Sequence, residues 1–120
     1  MPHCTLEYSD NLTDFAAGQM LAALNAELLA SGLFAEADIK SRAVRLEQFA
    51  VGVAPAPRAF VHLTLSVLSG RSVDERAALA RRVLAVLEAG CSAPAATELQ
   101  LSVDVAEMER ATYAKIVRHA

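Results

Sequence analysis

Apolar and polar positions alternate at the start of the chain: in HCTLEY, Cys4, Leu6 and Tyr8 share one face of an extended segment, and the turn-forming run Ser9–Asn11 follows. The period then lengthens. Ala16, Met20, Leu24 and Leu28 recur at helical spacing between Leu12 and Ser31, which predicts a helix with Asp10 or Asn11 as its cap and Gly32 as its stop. From Ile39 the period returns to two. A second strand is predicted through KSRAVRLEQF, with Lys40, Arg42, Val44 and Leu46 on one face.

The same order is then repeated. VGVAPAPR, Val51–Arg58, carries two prolines that break a helix and favour extended or turn geometry, so it reads as a connector. AFVHLTLSVL sets Val61, Leu63, Leu65 and Val67 on one strand face and Phe60, His62, Thr64 and Ser66 on the other. Ser72 and Glu75 have the spacing of a capping box, opening a helix that continues through Leu79, Val83 and Leu87 to Gly90. ELQLSVDV alternates as the last strand.

The pattern predicts an α+β chain of one domain over residues 1–120. Two βαβ halves, at about 1–50 and 59–107, are joined by the proline-containing linker and followed by a short C-terminal tail. Crossover helices make the strands within each half parallel, and the two halves join most simply as a four-stranded mixed sheet with both helices on one face. Strands as apolar as those holding Leu63, Leu65, Leu101 and Val103 suggest that the second face is covered by neighbouring subunits.

With 54% apolar and 21% charged residues among 120, the chain is not disordered and can build a core without disulfides or a metal. A net charge of −3 with scattered bases offers no field for a polyanion, which argues against nucleic acid. Cys4 and Cys91 lack metal-ligand spacing and read as reduced core residues. The N-terminal stretch has no basic segment followed by an apolar one, and no apolar run is long enough to span a membrane. The cytoplasm is the expected location.

Three places carry candidate chemistry. Pro2 follows Met1, and removal of Met1 would convert its nitrogen into a secondary amine; a free α-amino group titrates at about 7.7–8.0, and burial or nearby cations lower that value. A Met-Pro start is often silent, but this one opens onto a strand that would hold a general base rigidly. Lys40 and Arg42, two apart on a strand, are placed to share a dicarboxylate or to form a solvated charged face. Arg71, in Gly70-Arg71-Ser72, precedes a helix N-terminus, where a cation is unfavourable unless an anion joins it. His3, His62 and His119 have no metal or triad spacing, Cys4 has no partner base, and Tyr113 and Lys115 in the tail are expected to serve surface packing.

These stretches resemble the 5-carboxymethyl-2-hydroxymuconate isomerases of the tautomerase superfamily, to which 4-oxalocrotonate tautomerase also belongs. The resemblance is carried by PHCTLEYSDN, SGLF with IKSR, AFVHLTLSVLSGRS and the YAK region, nearly end to end. It implies a tautomerase/MIF-like fold, a homotrimer, and a small carboxylated dienol as substrate in aromatic-compound catabolism. Pro2 would be the catalytic base, Arg71 the carboxylate-binding arginine, and Lys40 and Arg42 its partners in substrate binding. It also implies no cofactor and no metal. Lys40 stands where the family favours Arg, and the linker is shorter and less polar than in the family. The alternatives are another proline-dependent reaction, such as hydration with dehalogenation or decarboxylation, and a non-enzymatic oligomeric module that binds a small anion.

Overall fold

In the computed structural model, which describes residues 1–120, the strand nearest the N-terminus lies inside the sheet. β1 (His3–Ser9) pairs in parallel with β2 (Lys40–Leu46) and antiparallel with β3 (Arg58–Leu68). β4 (Glu98–Met108) adds to β3 in parallel, so the order is β2-β1-β3-β4. Helix α1 (Ala17–Ala30) connects β1 to β2, and α2 (Val73–Gly90) connects β3 to β4. The expected mixed sheet of two βαβ units is formed.

Register decides which side chains meet the helices. Cys4 stands opposite Leu65 and Leu6 opposite Leu63 across β1 and β3, while Leu63 faces Val103 and Leu65 faces Val105 across β3 and β4. With side chains alternating across the pleat, all of these lie on one face. They pack beneath Met20, Leu24 and Leu28 of α1 and Leu79, Val83 and Leu87 of α2 in one buried cluster.

The other face carries His3, Thr5, Glu7, Lys40, Arg42, His62, Thr64, Ser66, Ser102 and Asp104, with Val44, Leu46, Phe60, Leu68 and Met108 as its larger apolar members. This corrects the reasoning from alternation. Leu63, Leu65, Leu101 and Val103 all belong to the helix-covered face, so it is not these residues that bear on the cover of the second face.

Helix α1 also begins later than the periodicity suggests. Its N-cap is Ala16, which offers no side-chain hydrogen bond. Asn11 donates its amide to the Arg58 carbonyl at 2.8 Å, and Asp10 approaches Arg45 at 3.9 Å. The chain turns from Ser9 to Leu12, buries Leu12, and sets Phe15 against Tyr8 with ring centroids 4.6 Å apart before the helix starts. Tertiary packing thus takes both expected caps for other partners.

The second helix keeps its local signal. The Ser72 hydroxyl accepts from the Glu75 N–H at 3.1 Å, and the Glu75 carboxylate accepts from the Ser72 N–H at 3.1 Å. Between β2 and β3, Gly52 takes φ of 67°, and a Cβ there would stand 2.7 Å from the Arg58 guanidinium, which donates to the Val51 carbonyl. Glycine suits both demands best.

Leu63 is fully buried on an inner strand between both helices. Leu63→Ala is expected to cost about 2–5 kcal/mol of unfolding free energy, read as a lower denaturant midpoint with little change in slope.

Candidate active site

Segments far apart in sequence meet at the end of the sheet where β1 begins. They enclose a cavity of about 280 Å³ whose walls include Met1, Phe34, Asp38, Arg71, Arg110, Tyr113 and Lys115. Pro2 is buried beside it, and its carbonyl accepts from the Lys40 N–H at 3.2 Å, extending the pairing of β1 and β2 to the end of the chain.

The Met1 amine donates to the Asp38 carbonyl at 3.2 Å. Its pKa lies below the ordinary 8.0, chiefly because burial disfavours the charged form; Asp38 opposes this, and Lys40 and Lys115 add to it.

Arg71 does not extend along the helix it precedes. Its guanidinium lies 5.0 Å from the Phe34 ring centre and donates to the Leu33 carbonyl at 3.4 Å. Arg110, from the short helical turn Arg110–Thr112 after β4, donates to the Ser69 carbonyl at 3.3 Å. Neither guanidinium has a carboxylate partner, and each holds five donors, so the cavity presents two cationic forks with unused capacity. Lys115 differs: its ammonium pairs with Asp38 at 2.6 Å, a hydrogen bond that raises the lysine pKa and lowers that of the carboxyl.

The structure therefore brings the Met1-Pro2 end and Arg71 together and leaves Lys40 and Arg42 outside the cavity lining. The Lys40 ammonium donates to the Asp38 carbonyl at 3.0 Å. Arg42 lies on the polar sheet face, where its Nε donates to Thr5 Oγ1 at 3.2 Å and its terminal nitrogen approaches His3 Nδ1 at 3.0 Å. Arg110, Phe34, Tyr113 and Lys115 complete the walls. The expectation that Tyr113 and Lys115 serve only surface packing is corrected, because the tail folds back over the start of β1. The available signal was the YAK stretch, which contains both residues.

A larger concavity of about 830 Å³ runs between α1 and α2. Half of its lining residues are alanine, and its one charged pair, Glu27 with Arg82, is already joined. It holds no unpaired charged group, unlike the smaller cavity with Arg71 and Arg110. The thiols lie away from this cavity, and burial pushes Cys4 up to about 12 and Cys91 up to about 11, which disfavours the thiolate. No helix is long and apolar enough to cross a membrane.

Two βαβ units closed into one sheet define a tautomerase-type fold. A structure described as a fused 4-OT wild-type symmetric trimer shares it with a TM-score of 0.61 at 19% identity, over 86% of this chain and 85% of that one. The sequence model of the family described as 5-carboxymethyl-2-hydroxymuconate isomerase matches residues 2–118, and the chain belongs to that family. A crystal structure of a 5-carboxymethyl-2-hydroxymuconate isomerase from Deinococcus radiodurans R1 aligns with a TM-score of 0.85 at 34% identity, over 98% of this chain and 90% of that one. The 5-carboxymethyl-2-hydroxymuconate Delta-isomerase of Escherichia coli is 35% identical over 77 residues, which span 63% of this chain and 61% of the relative.

His3 supplies a pH test of the site. Its pKa is held below 6.5, first by burial and then by Arg42, Lys40, the N-terminal amine and Lys115. A depressed histidine pKa means that the unfolded chain binds the proton more tightly. The stability associated with neutral His3 is therefore complete above about pH 6.5 and is lost as pH falls through the folded-state pKa. The unfolding midpoint is expected to drop between pH 7 and 5, and His3→Gln to flatten that slope. Asp38 and Glu75, with lowered carboxyl pKa values, act in a separate window at lower pH.

Proposed function

We propose that this protein is a cofactor-independent isomerase. In this reading it ketonises a carboxylated dienol such as 5-carboxymethyl-2-hydroxymuconate, as a cytoplasmic homotrimer in aromatic-compound catabolism. Pro2 is the general base once Met1 is removed. The observation that carries the reading is the meeting of the Met1-Pro2 end with the unpaired guanidinium of Arg71 in one cavity. Family membership supports the reaction class, and the trimeric structure of the same fold supports the assembly.

While Met1 is attached, the proline nitrogen is a tertiary amide and has no useful basicity. Removing Met1 yields a secondary amine on Pro2, whose carbonyl accepts from the Lys40 N–H, and a nearby lysine ammonium favours the neutral form of such an amine. That amine takes the proton of the substrate's 2-hydroxyl group. The C2–O bond becomes a carbonyl, the double bond shifts to C3–C4, and the proton returns as a new C–H bond at C5. One base suffices because it recycles its proton.

Arg71 binds a substrate carboxylate through its free donors, and Arg110 adds positive potential to the same cavity. Lys40, which stands behind the N-terminus, and Arg42 on the sheet are assigned supporting roles in substrate binding.

Intact mass identifies the processed form. Relative to it, a form retaining Met1 is expected to lose about 10²–10⁴-fold in kcat/KM toward the dienol; equal rates in the two forms would refute the amine mechanism. Arg71→Ala is expected to raise KM and lower kcat/KM by about 10–100-fold, with the light-scattering mass unchanged. The product must be isobaric with the substrate, since a gain of water or loss of carbon dioxide would indicate a different reaction.

A further inference from the structure

Tyr113 belongs to no strand or helix, yet it lines the cavity, and its hydroxyl lies 3.2 Å from Nε2 of His3, the residue directly after Pro2. On the other side of the imidazole, Nδ1 lies 3.0 Å from the Arg42 guanidinium, which Thr5 holds in place. A guanidinium can only donate, so Nδ1 is the acceptor, and the proton of the neutral ring sits on Nε2. That N–H in turn donates to the Tyr113 oxygen.

Direction is thereby set along the whole chain, from Arg42 through His3 to Tyr113. The Tyr113 oxygen is occupied as an acceptor, and its own O–H makes no other hydrogen bond. The two rings meet edge to face, with centroids 6.2 Å apart and planes inclined at 61°, which limits rotation of the phenol. A hydroxyl that accepts a hydrogen bond becomes a better donor. The tail needs no third tether to explain this contact, because Lys115 with Asp38 and Arg110 with Ser69 already hold it.

We propose that the Tyr113 hydroxyl donates a hydrogen bond to the substrate oxygen that becomes anionic when the dienol loses its proton, with His3 and Arg42 as positioning residues. This rests on the reading of the cavity as a Pro2-dependent ketonisation site. With Arg71 and Arg110 available for carboxylates, a neutral donor serves the oxyanion well: it stabilises the dienolate without holding it so strongly that protonation at C5 is suppressed.

The test is steady-state kinetics on the processed enzyme, with the form retaining Met1 as reference. Tyr113→Phe is expected to lower kcat about 10–100-fold, with KM changed less than about twofold. His3→Leu should match it, and His3→Gln, whose amide N–H can still reach the phenol, should recover most of the activity. The His3→Leu/Tyr113→Phe pair should lose no more than either variant alone. Unchanged kcat in Tyr113→Phe, or a raised KM at constant kcat, overturns the oxyanion role. Independent losses in the pair, or no recovery in His3→Gln, overturn the relay. If the form retaining Met1 is inactive and Tyr113→Phe fully active, this inference alone fails; if the form retaining Met1 is fully active, the ketonisation reading by an N-terminal amine fails with it.

Discussion

An N-terminal strand placed inside a sheet is the constraint on which the rest of this structure depends. β1 has β2 on one side and β3 on the other, and its pairing with β2 continues outward to the Pro2 carbonyl and the Lys40 N–H. Chain ends usually fray because few contacts hold them. Here the pairing extends to the second residue, Pro2 is buried, and the first backbone nitrogen is anchored to the Asp38 carbonyl. Since β1 must be covered on both sides, β2 has to run parallel to it after a helical crossover, and β3 has to return antiparallel. The second βαβ unit then extends the sheet from β3. The position of the cavity follows, because the start of β1, the end of β3 and the segment before β2 all reach the same end of the sheet.

The parts of this arrangement that were legible in the sequence are those encoded by neighbours. Alternation in HCTLEY, AFVHLTLSVL and ELQLSVDV identifies three strands, and the Ser72/Glu75 pair marks the start of α2 within a single turn of backbone. The late start of α1 was hidden because Asn11 spends its amide on Arg58, 47 residues away. Face assignment failed for a related reason. Each strand shows two faces, but only the register between strands tells which faces coincide, and that is a long-range property. Once Leu63 is opposite Leu6 and Val103, the most apolar sets coincide beneath the helices and the remaining face is mixed, polar at its centre.

At the candidate site the same division holds. Pro2 and Arg71 were legible because each conflicts with its local setting: a proline directly before a strand, and a cation at the positive end of a helix. The structure resolves the second conflict by turning the guanidinium away from the helix and onto Phe34. Lys40 and Arg42 were legible as a pair of cations on one strand face, but spacing alone does not reveal what each touches. Arg110, Tyr113 and Lys115 follow the last strand, where no periodicity operates. Their placement depends on the tail returning to β1, which only the tertiary contacts with His3, Asp38 and Ser69 determine.

That return also explains how a chain with a net charge of −3 maintains a cationic cavity. Most of the ion pairs join side chains on its outer surfaces, such as Arg45 with Asp10, Arg58 with Glu98 and Arg82 with Glu27, so acids there consume bases locally. In the cavity the one acid, Asp38, is taken by Lys115, and Arg71 and Arg110 are left with carbonyl partners only. A carbonyl orients a guanidinium without neutralising it, so both keep their charge for an anion entering from solvent. Lys115 thus contributes by pairing with the cavity's one carboxylate and by lowering the pKa of the neighbouring amine. The C-terminal segment completes the electrostatics of a cavity whose wall also holds the opposite end of the chain.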